Sequence, residues 1–113
     1  MTYRKLARIH GYSRVKAVLA PFEWKAYLST TQAPKINVGC GKNILAGWLN
    51  ADLYPHPGAI RMDAAHRWPV GDGCFAACLC EHMIEHVPKA TAIDMISEIF
   101  RTLRPGGVLR VVT

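Results

Sequence analysis

The chain has 113 residues, half of them hydrophobic and 19% charged, a composition that suits one folded domain and excludes a disordered protein. No apolar run approaches the roughly 20 residues of a membrane span. The start, Met1-Thr2-Tyr3-Arg4-Lys5, lacks the apolar core of a secretory signal, so a cytoplasmic location is the expectation. The net charge of +6 is confined to one end: residues 1–35 hold seven basic side chains against Glu23 alone, and the other 78 residues hold seven of each sign.

That basic segment carries apolar residues at Leu6, Ile9, Val15, Val18 and Leu19, spacing that predicts one or two amphipathic helices, weakened at Gly11 and stopped by Pro21. Phe22 to Leu28 reads as a second short helix, and Ser29 to Pro34 as a polar linker, which makes residues 1–34 a helical arm distinct from 35–113. The arm reads as a packed helix pair with a solvated basic face, or as a docking surface for an anionic partner such as an acidic substrate, a phosphate-bearing molecule or a membrane surface. It has no stacked aromatics or recognition-helix pattern, so no specific nucleic-acid partner is expected.

From residue 35 the rhythm changes to short apolar runs between turns. Strands are predicted at Ile36 to Cys40, Trp48 to Leu53, Ala59 to Met62, Phe75 to Cys80 and Val108 to Val112. A helix begins at Val87-Pro88, with proline at its first position, and Ile93, Ile96, Ile99 or Phe100, and Leu103 predict its buried stripe. Arg104-Pro105-Gly106-Gly107 is expected to end it. Strands separated by helices or loops without hairpin signals imply an α/β fold with a parallel sheet. Ligands of such sheets sit beyond the carboxyl ends of the strands, which lines up the glycine turn after the first strand, Asp52, Asp63 and Glu81-His82 along one rim.

Cys40, Cys74, Cys78 and Cys80 are even in number, but three crowd one segment of a chain rich enough in apolar residues to fold without staples, so reduced thiols are expected. A metal site from Cys74, Cys78 and Cys80 lacks C-x-x-C spacing, and no metal is expected.

The turn Val38-Gly39-Cys40-Gly41-Lys42-Asn43 could cradle a nucleotide. It lacks the Gly-Lys-Ser/Thr ending of a phosphate loop. A dinucleotide fingerprint needs a small residue where Ile44 stands and an acid about 20 residues on, whereas Asp52 follows Gly39 by only 13. A carboxylate at the end of the second strand can accept both hydroxyls of a ribose, and Asp63 could accept from an exocyclic amine. Two acids beside a turn whose only cation is Lys42 suit a neutral or cationic nucleoside.

Val38-Gly39-Cys40-Gly41, Gly47-Trp48-Leu49-Asn50-Ala51-Asp52, Met62-Asp63-Ala64, Glu81-His82-Met83-Ile84-Glu85-His86 and Leu103-Arg104-Pro105-Gly106-Gly107 follow one another in order. Together they resemble class I S-adenosylmethionine-dependent methyltransferases of the type 11 kind over residues 35–113. The resemblance implies a Rossmann-like open sheet of about five parallel strands in the order 3-2-1-4-5, and S-adenosyl-L-methionine as cofactor. It implies cofactor contacts from Gly39, Cys40 and Gly41 (methionine part), Asp52 with Leu53 (ribose), Asp63 with Ala64 (adenine), and Cys80 with Glu81 at the reacting end. His82, with His86 second, is the candidate base where the acceptor must lose a proton; the acceptor itself, a small molecule or otherwise, is not legible. The Asp that often follows Phe75 in such proteins is Ala76 here. The family's sheet also continues into an antiparallel hairpin that this chain lacks after the fifth strand. The fifth strand is then an apolar edge, open to pairing with a second copy, and the alternative to an enzyme is a cofactor-binding or oligomerising module without turnover.

His82-Met83-Ile84-Glu85-His86 also matches the H-x-x-E-H signature of zinc hydrolases. That reading needs both histidines on one helix and a third ligand downstream, where Asp94 and Glu98 are poorly placed and Pro88 intervenes.

Overall fold

A computed structural model describes residues 3–113, apart from the side chains of residues 3–10 and Ser13. The expected helix positions Leu6 and Ile9, and the basic side chains of Arg4, Lys5 and Arg8, lie outside the described ones. The elements are α1 (Tyr3–Thr30), β1 (Lys35–Val38), β2 (Leu49–Asp52), β3 (Ile60–Arg61), β4 (Phe75–Glu81), α2 (Lys89–Thr102) and β5 (Leu103–Val112), with a 3-10 turn at Ile84–His86. All five strands are parallel and form one sheet in the order β3-β2-β1-β4-β5, the α/β arrangement the sequence implies. Among the described residues no helix is long and apolar enough to cross a membrane.

The central strands are short and nearly continuous in apolar character because both their faces are covered. Ile36, Val38, Ala51 and Phe75 are fully buried, and Met95 and Ile99 of α2 and Trp24 of α1 close over the same core. The Trp24 and Phe75 rings meet at 6.1 Å in a tilted contact.

Two expectations about the helices are corrected. The N-terminal segment is one helix of 28 residues, not two, and it runs through Pro21. Proline has no N–H to give the Ala17 carbonyl, a loss that normally ends a helix. Here tertiary contacts override it: Ala20 and Trp24, on either side of Pro21, are buried in the core. One turn later the Tyr27 hydroxyl donates to the Gly47 carbonyl at 2.9 Å and accepts from the Lys35 N–H at 3.0 Å.

The second correction is the rotation of α2. Its buried residues are Met95, Ile99 and Thr102, while Ile93, Ile96 and Phe100 are exposed, Phe100 at 83%. The cause is Glu98. Its carboxylate takes the backbone N–H of Trp68 at 2.8 Å and both sides of the Arg101 guanidinium at 2.9 and 2.7 Å. Arg101 in turn reaches the Val70 and Trp68 carbonyls and Asp72. Holding Glu98 on the Trp68 loop presents Met95 and Ile99 to the sheet and turns the isoleucine–phenylalanine stripe outward. After α2 the chain enters β5 directly at Leu103, so Arg104 to Gly107 lies within the strand, with a register irregularity opposite Phe75 and Ala77.

Candidate functional site

The register of the strands brings their carboxyl ends level. Val38 pairs with Ala51 on one side and Cys80 on the other, and Asp52 pairs with Arg61. The residues that follow these positions therefore share one rim: Gly39 to Gly41 after β1, Asp52 and Leu53 at the end of β2, Met62 to Ala64 after β3, and Glu81 to Met83 at the end of β4.

The segment from β1 to β2 has no helix, and two buried asparagines hold it instead. Asn37, in the middle of β1, donates to the Asn43 carbonyl at 2.8 Å and to the Asn50 side-chain oxygen at 3.0 Å. Asn50, in β2, also accepts from the Leu45 N–H and donates to the Leu45 and Trp48 carbonyls. Side-chain amides thus satisfy the buried loop backbone that a helix would otherwise satisfy internally. Sequence reasoning missed this pair. The available signal was a polar residue at the centre of two strands that are otherwise apolar.

Asp52 braces the glycine turn. One carboxylate oxygen accepts the Gly41 N–H and the other the Tyr54 N–H, both at 2.9 Å. A carboxylate offers about four lone-pair sites, so two remain for a ligand. Asp63 is folded onto its own turn, accepting the Ala65 N–H at 3.0 Å, with His66 Nε2 at 3.3 Å from its other oxygen. Ala64 is buried, and its carbonyl accepts from the indole N–H of Trp68. Leu53 is half-buried.

The two glycines of the turn do different things. Both have left-handed backbone, φ +66° at Gly39 and +52° at Gly41, which favours glycine at each. A Cβ on Gly39 would run into the Met83 sulfur, so this glycine makes room for a side chain of the protein itself. A Cβ on Gly41 would meet nothing within 4 Å. Gly41 is the open part of the cradle, and it lies directly against Asp52.

At the end of β4, Cys80 is buried and Glu81 half-buried, so Cys80 offers the rim its backbone and not its thiol. Burial first, and the Glu85 carboxylate second, push the Cys80 thiol above its ordinary pKa. Cys40 is buried too; its thiol donates to the Gly41 carbonyl, and burial followed by the Asp52 charge raises its pKa to about 11. All four cysteines are free thiols, and neither thiol at the rim is a nucleophile at neutral pH.

His82 is the one non-glycine residue with positive φ among the described residues, at +50°, and its N–H donates to the Val112 carbonyl at 2.7 Å. A residue held in that region at the end of a central strand stores about 1–2 kcal/mol of strain. Its imidazole is exposed, with Nδ1 3.9 Å from the Glu85 carboxylate, and His86 Nε2 lies 4.0 Å from the other Glu85 oxygen. The H-x-x-E-H residues are not on an α-helix: His82 is left-handed and Ile84–His86 forms a single 3-10 turn. The shared helical face a zinc hydrolase would require is therefore not formed. Among the described residues no group of three or more His, Cys, Asp and Glu is placed to hold a metal ion.

The parallel sheet carries a glycine turn and two carboxylates together on its carboxyl rim, the arrangement of an α/β Rossmann-like domain. A family model described as a methyltransferase domain matches residues 51–111, more than half of the chain, and the chain belongs to that family. No curated protein matches it.

The family generally binds S-adenosylmethionine, and the donor set here fits that molecule. Gly41 has open space where a side chain would stand, and Asp52 retains acceptor capacity for a ribose.

Proposed function

We propose that the protein is an S-adenosylmethionine-dependent methyltransferase that uses the β1–β4 rim to hold its cofactor. The observation that carries this reading is the Asp52 carboxylate fixed against the open Gly41 backbone within a chain of the methyltransferase domain family. Asp52 accepts the ribose hydroxyls on the lone pairs that Gly41 and Tyr54 leave free, and Leu53 packs beside the sugar. Asp63, with the backbone of Ala64, holds the adenine edge. Gly39 and Cys40 line the methionine side through backbone alone, and Cys80 and Glu81 border the reacting end.

The cofactor supplies an electrophilic methyl group on a sulfonium, so the protein's task is to align an acceptor with it and exclude competing water. Where the acceptor must lose a proton, His82 takes it. Its imidazole is solvent-accessible and stands at the end of the strand that carries Glu81, and Glu85 lies close enough to stabilise the imidazolium that results. His86 is a second candidate on the far side of Glu85.

Titration calorimetry with S-adenosylhomocysteine tests the site. Asp52→Ala is expected to weaken binding by about tenfold to a hundredfold, the equivalent of one charge-assisted hydrogen bond. Unchanged affinity, with the fold intact by circular dichroism, removes Asp52 from the site.

A second reading is a cofactor-binding module that pairs with another copy along β5, and one observation favours it. β5 is an edge strand that exposes Val108 and Val111. Formation of S-adenosylhomocysteine from S-adenosylmethionine and an added acceptor separates the two, since only the enzyme turns over.

A further inference from the structure

The solvent side of α1 has an organisation that the fold does not use. Tyr12, Val15, Val18, Leu19 and Phe22 are all exposed, Val18 and Phe22 at 70% each. At 100° per residue they cover one continuous stripe, about a third of the helix circumference. The buried side of the same helix is separate and is formed by Lys16, Ala20 and Trp24. So the helix is apolar in two directions, and the sheet covers only one of them.

The charges around the stripe are one-sided. Arg14 and Lys25 are exposed along one edge. Glu23, the only acid of residues 1–35, is bound by the buried Lys16 at 2.8 Å on the inner flank and is neutralised there. The outer face of α1 from Gly11 to Thr30 therefore presents apolar side chains and cations with no free carboxylate. The exposed stripe of α2 (Ile93, Ile96, Phe100) differs, because Lys89 and Asp94 around it are of opposite sign.

We propose that this face of α1 docks the protein on an anionic lipid surface, with Val15, Val18, Leu19 and Phe22 entering the boundary between headgroups and acyl chains and Arg14 and Lys25 meeting the headgroup phosphates. A bilayer answers both features at once. It buries a straight apolar stripe without needing a shaped groove, and its negative surface matches a face with cations alone. An acidic small molecule would leave the stripe in water. The stretch from Gly11 to Thr30 is about 30 Å long, so lying in the interface uses its outer side while Trp24 stays anchored in the core. The docking is independent of what the β-strand rim binds.

Vesicle co-sedimentation of the full chain tests the proposal. Binding is expected to vesicles of phosphatidylcholine containing about a quarter phosphatidylglycerol, and to be at least about tenfold weaker to phosphatidylcholine alone. The double variant Val18→Glu/Phe22→Glu, altered only at exposed positions, is expected to lose about tenfold or more in vesicle affinity with an unchanged circular dichroism spectrum. Arg14→Glu/Lys25→Glu should lose binding in the same way, and raised salt should mimic it. Failure of the wild-type chain to sediment with anionic vesicles overturns the proposal, as does binding by both double variants that is as tight as the wild type's. Tighter binding to polyglutamate than to the vesicles also overturns it, by assigning the face to an acidic protein. A lipid-free dimer that Val18→Glu/Phe22→Glu dissociates overturns it in favour of a second copy.

Discussion

Two long loops of this small domain are held in opposite ways. The loop from β1 to β2 forms the cradle and is fixed by neutral amides, Asn37 and Asn50, with Asp52 as the one carboxylate that braces it. The loop from β3 to β4 is fixed by a half-buried ion pair, Glu98 with Arg101, whose donors and acceptors fan out over Trp68, Val70 and Asp72. Neutral amides satisfy backbone groups without adding a field, so Asp52 stays the only carboxylate in contact with the glycine turn. The β3–β4 loop needs no such neutrality, and there a planar guanidinium can gather several carbonyls at one point.

Removing one partner of the ion pair is expected to have the largest effect. Arg101→Ala leaves the Glu98 carboxylate at 15% side-chain exposure without its cation, and a loss of about 3 kcal/mol in urea-denaturation stability is expected. A loss below about 1 kcal/mol would mean that solvent replaces the guanidinium. Next comes Asn50→Ala, which strands the Leu45 N–H and carbonyl; it should cost about 2 kcal/mol. It should also weaken S-adenosylhomocysteine binding, because the loop it loosens carries Gly41. The Arg101→Ala variant should leave affinity near that of the wild type once folded.

The loops also separate in their response to acid. The Arg101 guanidinium first, and the Trp68 N–H after it, hold the Glu98 pKa below its ordinary value of 4.5, against the opposing pull of burial. A lowered folded-state pKa gives stability that is fully present above the ordinary glutamate range and lost as pH falls through the folded value. The stability difference between wild type and Glu98→Gln should therefore shrink as pH drops below 4.5. The difference between wild type and Asn50→Ala should stay flat across the same window. The smallest effect belongs to the strained residue beside the cradle: His82→Gly should gain up to about 1 kcal/mol by relieving positive φ. Lower turnover in that more stable variant would separate a chemical role for the imidazole from a packing one.

The strands and their parallel sense were legible because each is a short apolar run bounded by turn residues, without hairpin signals between them, and the order came from the family resemblance. The acids at the rim were legible for the same reason, since strand ends locate them. Three features were not. Pro21 reads as a stop, and the burial of Ala20 and Trp24 on either side of it carries α1 past it. The spacing Ile93, Ile96, Phe100 is as regular as any core stripe, and what turns it outward is the attachment of Glu98 to a backbone N–H 30 residues away. The space that Gly39 vacates is taken by Met83, a neighbour that no local pattern announces.

The four free thiols make the molecule its own reporter of local opening. Burial pushes the Cys78 thiol up to about 12, with the neighbouring Cys80 adding to it, and Cys40 stands near 11. Cys40, Cys78 and Cys80 are buried as well, so their alkylation proceeds only when the surrounding structure opens, and the half-buried Cys74 is the reference against which they are read. Cys40 lies in the cradle turn, Cys78 at the centre of the sheet and Cys74 in the loop from β3 to β4 where Arg104 reaches its carbonyl. The order in which a small alkylating agent modifies them reads out which part of the chain unfolds first, without any label having been introduced.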